Sequence, residues 1–177
     1  MTGKIPLLRR IGIPAAVVLA IGTPAIQAAM DLGLSQAEFA ANGNSTLRAA
    51  GYAFSIWTLI HAGLVTYAVY QARPKARDTA VLSVLAWPSL IAILGCAAWI
   101  VASASAWKWA TVAIIVTSAA AIAIGLVRAA SARPQGAERW LAIWPLGLLG
   151  GWLAIASAIN ILTVLTAKAI IGPESAL

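Results

Sequence analysis

Charged residues are scarce in this chain of 177 residues. Asp, Glu, Lys and Arg make up only 10% of it, whereas soluble domains carry about 25%. With 62% hydrophobic residues and a mean hydropathy of +0.90, the sequence has too little polar surface to face water on all sides. The composition excludes an ordinary soluble domain and predicts an integral membrane protein.

Cysteine and histidine occur once each, as Cys96 and His61. A single cysteine excludes an internal disulfide framework, and the two residues together supply too few ligands for a structural zinc site. One histidine and one cysteine also give little material for a catalytic base–nucleophile constellation. We therefore predict no metal centre, no required cofactor and no enzymatic activity.

Acidic and basic side chains are missing from the centres of the apolar stretches. Ion-coupled transporters and proton pumps usually carry such groups within the membrane, so a permease is the least favoured function. The net charge of +7 is divided among short clusters beside the apolar stretches. A nucleic-acid-binding protein needs a continuous basic face, and we expect no nucleic-acid partner.

Five apolar stretches are long enough to cross a bilayer, which takes about 20 residues. They cover residues 11–30, 52–71, 79–103, 107–127 and 140–167. The sequence therefore predicts an all-α fold, an integral membrane five-helix bundle formed by one domain over residues 1–177, with the lipid bilayer as its surroundings.

Basic residues flank these spans unevenly. Because basic residues favour the cytoplasmic side, we predict a cytoplasmic N-terminus, in the inner membrane of a bacterium. Residues 4–29 also fit a secretory signal, and its cleavage would leave four spans with the same loop charges. Nine basic residues lie on one side (Lys4, Arg9, Arg10, Arg73, Lys75, Arg77, Arg128, Arg133, Arg139) and three on the other (Arg48, Lys108, Lys168).

Tryptophan, by contrast, is abundant, with eight residues against two of phenylalanine. An indole N–H needs a partner unless it lies near the headgroups, so indoles inside apolar spans are typical of a pocket. We expect indole side chains from separate helices, Trp57 among them, to converge near mid-bilayer and enclose an aromatic cavity.

Two polar side chains share helix faces with these indoles. His61 follows Trp57 by four residues, and Asn160 follows Trp152 by eight, about two turns. His61 fits a hydrogen bond to a neighbouring helix, a ligand contact, or axial ligation of a haem or chlorophyll metal. Asn160 fits either a helix clamp or a ligand contact.

The first loop, residues 31–50, is the longest connection between spans. Ser35 and Glu38 have the spacing of a capping box, which predicts a short helix from 36 to 41. The loop is either a lid over the pocket or a simple connection.

Small residues form helix-packing motifs, including Gly147-x-x-x-Gly151 and Ala121-x-x-x-Gly125. Such faces pack helices within one bundle or between two copies, and a homodimer is one of these two alternatives. Pro14, Pro24, Pro88 and Pro145 lie within or at the ends of spans and predict kinks.

Three segments make the chain resemble the TspO/MBR family of tryptophan-rich sensory proteins, which includes the mitochondrial translocator protein. Residues 51–61 (GYAFSIWTLIH) are similar to the aromatic W-T-x-x-Y helix of that family, with His61 at the tyrosine position. Cys96-Ala-Ala-Trp99 stands where the family has Asn-x-x-Trp. Residues 151–160 (GWLAIASAIN) are similar to its last helix.

The resemblance implies a five-helix bundle, commonly dimeric, with a pocket near the first loop that binds porphyrins, sterols or synthetic ligands. By position, Trp57, Trp99, Trp152 and Asn160 would line or brace that pocket. The first loop lacks the tryptophan and paired prolines of the family, and Cys96 and His61 replace its Asn and Tyr. These departures indicate a divergent branch.

Two functions fit the sequence best. One is a TspO-like membrane protein with a sensory or regulatory role that binds a porphyrin or another polycyclic apolar ligand through Trp57, His61, Trp99, Trp152 and Asn160. The other is an accessory subunit of a larger membrane complex, for example one that carries pigments.

Overall fold

The computed structural model describes residues 7–41, 51–73 and 79–170. Within these ranges the chain forms helices and no strand. Five helices are long and apolar enough to span a membrane, which confirms the predicted five-helix membrane bundle. The α-helices are α1 (Ile13–Met30), α2 (Gln36–Ala41), α3 (Ile56–Ala72), α4 (Ala80–Ala104), α5 (Lys108–Ser131) and α6 (Trp144–Ala167).

The observed spans agree closely with the predicted ones. Counted over all their helical residues, the spans are Arg9–Met30, Tyr52–Ala72, Ala80–Ala104, Lys108–Ser131 and Arg139–Ala167. The largest difference from the prediction is then at the end of α5, which continues from the predicted end at 127 to Ser131. A long basic side chain such as Arg128 can reach the headgroups from the last helical turns. Four of the basic residues that predict the topology, Lys4, Arg48, Lys75 and Arg77, lie outside the described residues.

The five spanning helices form a ring in which each packs mainly against two neighbours, in the order α1, α3, α6, α5, α4 and back to α1. Because the helices alternate in direction, α1, α4 and α6 end where α3 and α5 begin. We call that end of the bundle the loop side, since α2 lies there, and the opposite end the N-side.

Two of the prolines produce wide helical turns at the N-side. A π-helical turn, Leu8–Gly12, precedes Pro14, and another, Arg139–Ile143, precedes Pro145. A proline lacks the N–H of a regular turn, and its ring clashes with the carbonyl four residues earlier. In both cases that carbonyl belongs to the π-helical turn, which relieves the clash.

Two glycines lie where a proline of a neighbouring helix packs closely against them. A Cβ on Gly125 would lie 2.6 Å from the Cβ of Pro88, and one on Gly63 would lie 3.2 Å from the Cβ of Pro145. Gly125 therefore packs α5 against α4 within the chain, as one of the two sequence alternatives predicts. Gly147 and Gly151 have nothing within 4 Å of the corresponding positions.

Five tryptophans lie on the outside of the bundle. Trp107 and Trp109 are exposed on the loop side, and Trp87, Trp140 and Trp144 towards the N-side. From Trp109 to Arg128, α5 rises about 28 Å, close to the thickness of a bilayer core of about 30 Å. These exposed indoles therefore resemble the aromatic belts at membrane–water interfaces.

A chain of buried polar groups connects three helices at the N-side. Arg9 Nε donates to Gln71 Oε1 (2.7 Å), and Gln71 Nε2 donates to the Tyr67 hydroxyl (2.8 Å). The Tyr67 and Ser89 hydroxyls are 2.8 Å apart, and Ser89 donates to the carbonyl of Ala86. Arg9 is only 1% exposed, although its position predicts a residue at the surface.

Candidate ligand-binding cavity

A cavity of about 250 Å³ lies in the loop-side half of the bundle. Its walls include residues from all five spanning helices and from α2. The five side chains predicted from the sequence as ligand contacts all line it: Trp57, His61, Trp99, Trp152 and Asn160.

Aromatic rings from α3 and α6 form one wall of this aromatic cavity. The rings of Trp57 and Trp152 meet edge to face, with centroids 6.3 Å apart at 78°. Phe54, in the 3-10 turn Gly51–Ser55 before α3, packs against Trp152 in a similar way at 6.5 Å. Edge-to-face pairs are favourable arrangements of aromatic rings, so these three rings hold one another in place.

His61 lies one helical turn after Trp57, and the two ring centroids are 5.3 Å apart. The imidazole is partly exposed on the cavity wall. This position fits two of the three interpretations of His61, a direct ligand contact and axial ligation of the metal of a bound haem or chlorophyll. No group of three or more His, Cys, Asp or Glu side chains that could hold a metal ion occurs among the described residues.

The opposite wall carries a clamp between three helices. The indole N–H of Trp99 on α4 donates to Asn160 Oδ1 on α6 at 2.7 Å. The amide nitrogen of Asn160 then donates to the hydroxyl of Thr111 on α5 at 3.0 Å. Asn160 is 4% exposed. It is thus a helix clamp that also forms part of the cavity wall.

The first loop covers the cavity through α2. Phe39 is buried, and its ring meets that of Trp99 edge to face at 5.7 Å. Gln36 and Ala40 lie beside it on the cavity wall. The predicted helix 36–41 is confirmed, and it forms a wall of the cavity rather than a simple connection.

The predicted capping box at the start of α2 is present. The Ser35 N–H donates to Glu38 Oε2 at 2.8 Å, and the Glu38 N–H donates to Ser35 Oγ at 3.2 Å. Hydrogen bonding of the carboxylate to the Ser35 side chain and to the Ser35 N–H lowers the pKa of the Glu38 carboxyl below its ordinary value. The charged carboxylate therefore stabilises the first turn of α2.

Gly33 ties this loop to the end of α4. Its φ of +66° is a left-handed conformation, and a Cβ there would overlap the carbonyl group of Ala104. The next residue, Leu34, donates its N–H to that same carbonyl oxygen at 3.2 Å. Only glycine suits this position, because both the backbone angle and the close approach exclude a side chain.

The sequence did not reveal several lining residues. Phe39 comes from α2 within the first loop, Phe54 from the 3-10 turn that follows the loop, and Pro24 from α1. The pairing of Ser35 with Glu38 predicts a helix, but it does not indicate which neighbour that helix contacts. The cavity also lies closer to the loop side than the predicted mid-bilayer position, because Leu64, Tyr67 and other buried side chains fill the N-side half.

The family model for TSPO-like protein matches residues 11–174, which include all five spans. The chain belongs to the TSPO-like protein family. This finding confirms the resemblance noted in the sequence, and together with the five apolar helices it identifies an integral membrane protein of TspO type. No curated protein and no solved structure matches the chain.

Proposed function

We propose that this TSPO-like protein binds a flat hydrophobic molecule, a tetrapyrrole or another polycyclic compound, and has a sensory or regulatory role rather than a catalytic one. The observation that carries the proposal is the convergence of Trp57, Trp99 and Trp152, from three helices, on one cavity. Aromatic side chains contribute large apolar area to binding sites, and a few polar groups orient the ligand.

The polar groups on the cavity wall suit orientation of a ligand. His61 offers a ring nitrogen, and Asn160 retains one amide hydrogen and one lone pair beyond its bonds to Trp99 and Thr111. The volume of about 250 Å³ lies just below the usual range of ligand pockets, about 300–1,000 Å³. A tetrapyrrole bound there therefore extends beyond the aromatic cavity.

Tryptophan fluorescence tests the proposal. We expect a porphyrin to quench the fluorescence of the purified protein saturably. Trp57→Ala should weaken its binding roughly three- to tenfold, because the ligand loses an aromatic contact. Trp87→Ala is the matched control, since that indole is 63% exposed on the outside of α4 and should leave the affinity unchanged.

Two results would contradict this function. One is the absence of saturable quenching by any tetrapyrrole or polycyclic compound. The other is an equal loss of affinity in Trp87→Ala and Trp57→Ala, which would indicate binding to the outer surface of the bundle rather than to the cavity.

We also propose that the protein lies in a bacterial inner membrane with its N-side towards the cytoplasm. The support is the excess of basic residues on that side of the sequence. A fusion of alkaline phosphatase, which is active only outside the cytoplasm, to the C-terminus should be active in cells. The same reporter placed between α3 and α4 should be inactive; the reverse pattern would contradict the orientation.

A further inference from the structure

A second cavity, of about 310 Å³, adjoins the aromatic cavity on the loop side. Pro24, Gln36 and Phe54 line both, so the two form neighbouring compartments. We call the second one the vestibule. A ligand that is too large for the aromatic cavity can occupy both compartments at once.

The walls of the two compartments differ in chemistry. The aromatic cavity is lined mainly by apolar and aromatic side chains. The vestibule is lined by Gln27, Asp31, Ser35 and Gln36 beside small residues. A molecule that fits both compartments is therefore an amphiphile, with a flat apolar body at one end and a polar group at the other.

The charged side chain among the described residues that line the vestibule is an acidic one. Asp31 is an exposed carboxylate on its wall, and it directly follows the C-terminus of α1, where the helix dipole places partial negative charge. No Lys or Arg of the described residues lines either cavity. An anionic group entering the vestibule would lose hydration beside Asp31, without a cationic partner among the described lining residues.

We propose that the vestibule selects ligands whose polar end is cationic or uncharged and discriminates against carboxylates, with Asp31 as the residue that determines this preference. The inference rests on the proposed function, because it assumes that the flat body occupies the aromatic cavity. It makes a free dicarboxylic porphyrin a poorer ligand than the same ring with neutral or basic side chains.

Three porphyrins with one ring system test the preference: protoporphyrin IX, its dimethyl ester, and its diamide carrying two tertiary amines. Their dissociation constants are measured by tryptophan quenching on the full-length protein in nanodiscs of neutral lipid. We expect the diamide to bind more tightly than the diacid. In Asp31→Asn, the diamide should bind roughly three- to tenfold more weakly and the diester with unchanged affinity.

The variants are chosen to preserve the fold. Asp31 has a φ of +50°, a conformation that Asn also tolerates, so Asp31→Asn removes the charge with little strain. Glu38→Gln is the matched control. It removes a nearby carboxylate that lines neither cavity and keeps a residue suited to the capping box.

The failures of the two proposals are distinguishable. Tighter binding of the diacid than of the diamide would overturn the preference and leave the binding function intact, as long as Trp57→Ala still weakens binding. An unchanged preference in Asp31→Asn, or an equal change in Glu38→Gln, would overturn the role of Asp31. No saturable quenching by any of the three porphyrins would remove the binding function itself.

Discussion

Asn160 links the stability of the bundle to the shape of its cavity. One amide accepts from Trp99 on α4 and donates to Thr111 on α5, while its backbone belongs to α6. Since Trp99 also packs against Phe39, the clamp orients an indole that contacts the cover of the cavity. A change at Asn160 therefore alters both the helix packing and the cavity wall.

Asn160→Ala should destabilise the protein by about 1–2 kcal/mol, because it leaves the Trp99 N–H and the Thr111 hydroxyl with fewer partners in a buried site. Unfolding in mixed micelles of increasing SDS content would measure the change. Thr58→Val serves as the control, since Thr58 is exposed on α3 and its substitution should have little effect. Equal stability of Asn160→Ala and the wild type would show that the clamp contributes nothing.

The sequence identified the residues of this site better than it identified their partners. Trp57 and Asn160 stood out because indole and amide groups are unusual within apolar spans, whereas Trp99 was selected through the family resemblance, since other indoles within the spans, such as Trp87, lie on the outside. Arg9 was interpreted as a topology signal, since basic residues beside spans normally face water. Its burial depends on Gln71, which is 62 residues away in sequence, and no local pattern contains that information.

At the scale of elements, α2 is the shortest of the α-helices, and it forms part of the cavity wall. It is held at its start by the capping box of Ser35 and Glu38, and along its length by the contact between Phe39 and Trp99. Gly33 fixes the chain just before it to the end of α4. Since α2 forms part of the cavity wall on the loop side, we expect a ligand that enters from that side to pass this segment.

The rate of ligand release should depend on pH through α2. The pKa of Glu38 is lower in the folded protein than its ordinary value, about 4.3 in peptides. The stabilisation by its carboxylate is therefore complete above that ordinary value and is lost as the pH falls through the lowered one. Below about pH 4 we expect release of a neutral porphyrin diester to accelerate roughly two- to tenfold.

Stopped-flow measurements of tryptophan fluorescence would follow this release. Glu38→Gln should remove the pH dependence, because its amide does not titrate, and Ser35→Ala should accelerate release even at pH 7. If Glu38→Gln keeps the full pH dependence, another group is responsible and the capping box does not control access.

The spanning helices were predictable because their length and apolar composition are set by the bilayer. The π-helical turns were not, although Pro14 and Pro145 indicated where the helices would be irregular. The first span also fitted a secretory signal in the sequence. In the structure its residues Ile13, Val17 and Ala20 are buried in the core, and α1 forms part of the cavity wall through Ala20 and Pro24.

At the scale of the whole molecule, one small-residue face lies open on the outside of the ring. Gly125 packs against Pro88, whereas Gly147 and Gly151 have nothing within 4 Å of the position of a Cβ. These two glycines are one turn apart on α6 and allow a second helix to approach closely. We propose that a second copy of the protein packs against this face to form a homodimer.

Replacement of both Gly147 and Gly151 by leucine should raise the dissociation constant of the dimer at least about tenfold, because the larger side chains keep the helices apart. Chemical crosslinking in nanodiscs and native mass spectrometry in mild detergent would measure it. Gly22→Leu is the matched control, since Gly22 also has nothing within 4 Å but belongs to α1. A dimer that persists in the double variant, or a wild type that is monomeric, would contradict this interface.

The overall architecture could be predicted from the composition and the apolar stretches of the sequence, but the position of the cavity in the bundle could not. A shortage of charge and five apolar stretches are enough to predict a five-helix membrane bundle. How deep the cavity lies depends on which half of the ring is filled, and large buried side chains such as Tyr67 and Leu85 fill the N-side. That distribution results from packing among helices that are distant in sequence.

The buried guanidinium of Arg9 has a consequence for how the protein is assembled. While α1 enters the bilayer alone, Gln71 and Tyr67 have not yet joined it, so the charge must remain among water and headgroups. In the folded bundle it lies instead beside Gln71 of α3, at one end of the polar chain that continues through Tyr67 to Ser89 on α4. A charge that begins at the membrane surface thus ends inside the protein, and its hydrogen bond ties the start of the first helix to α3.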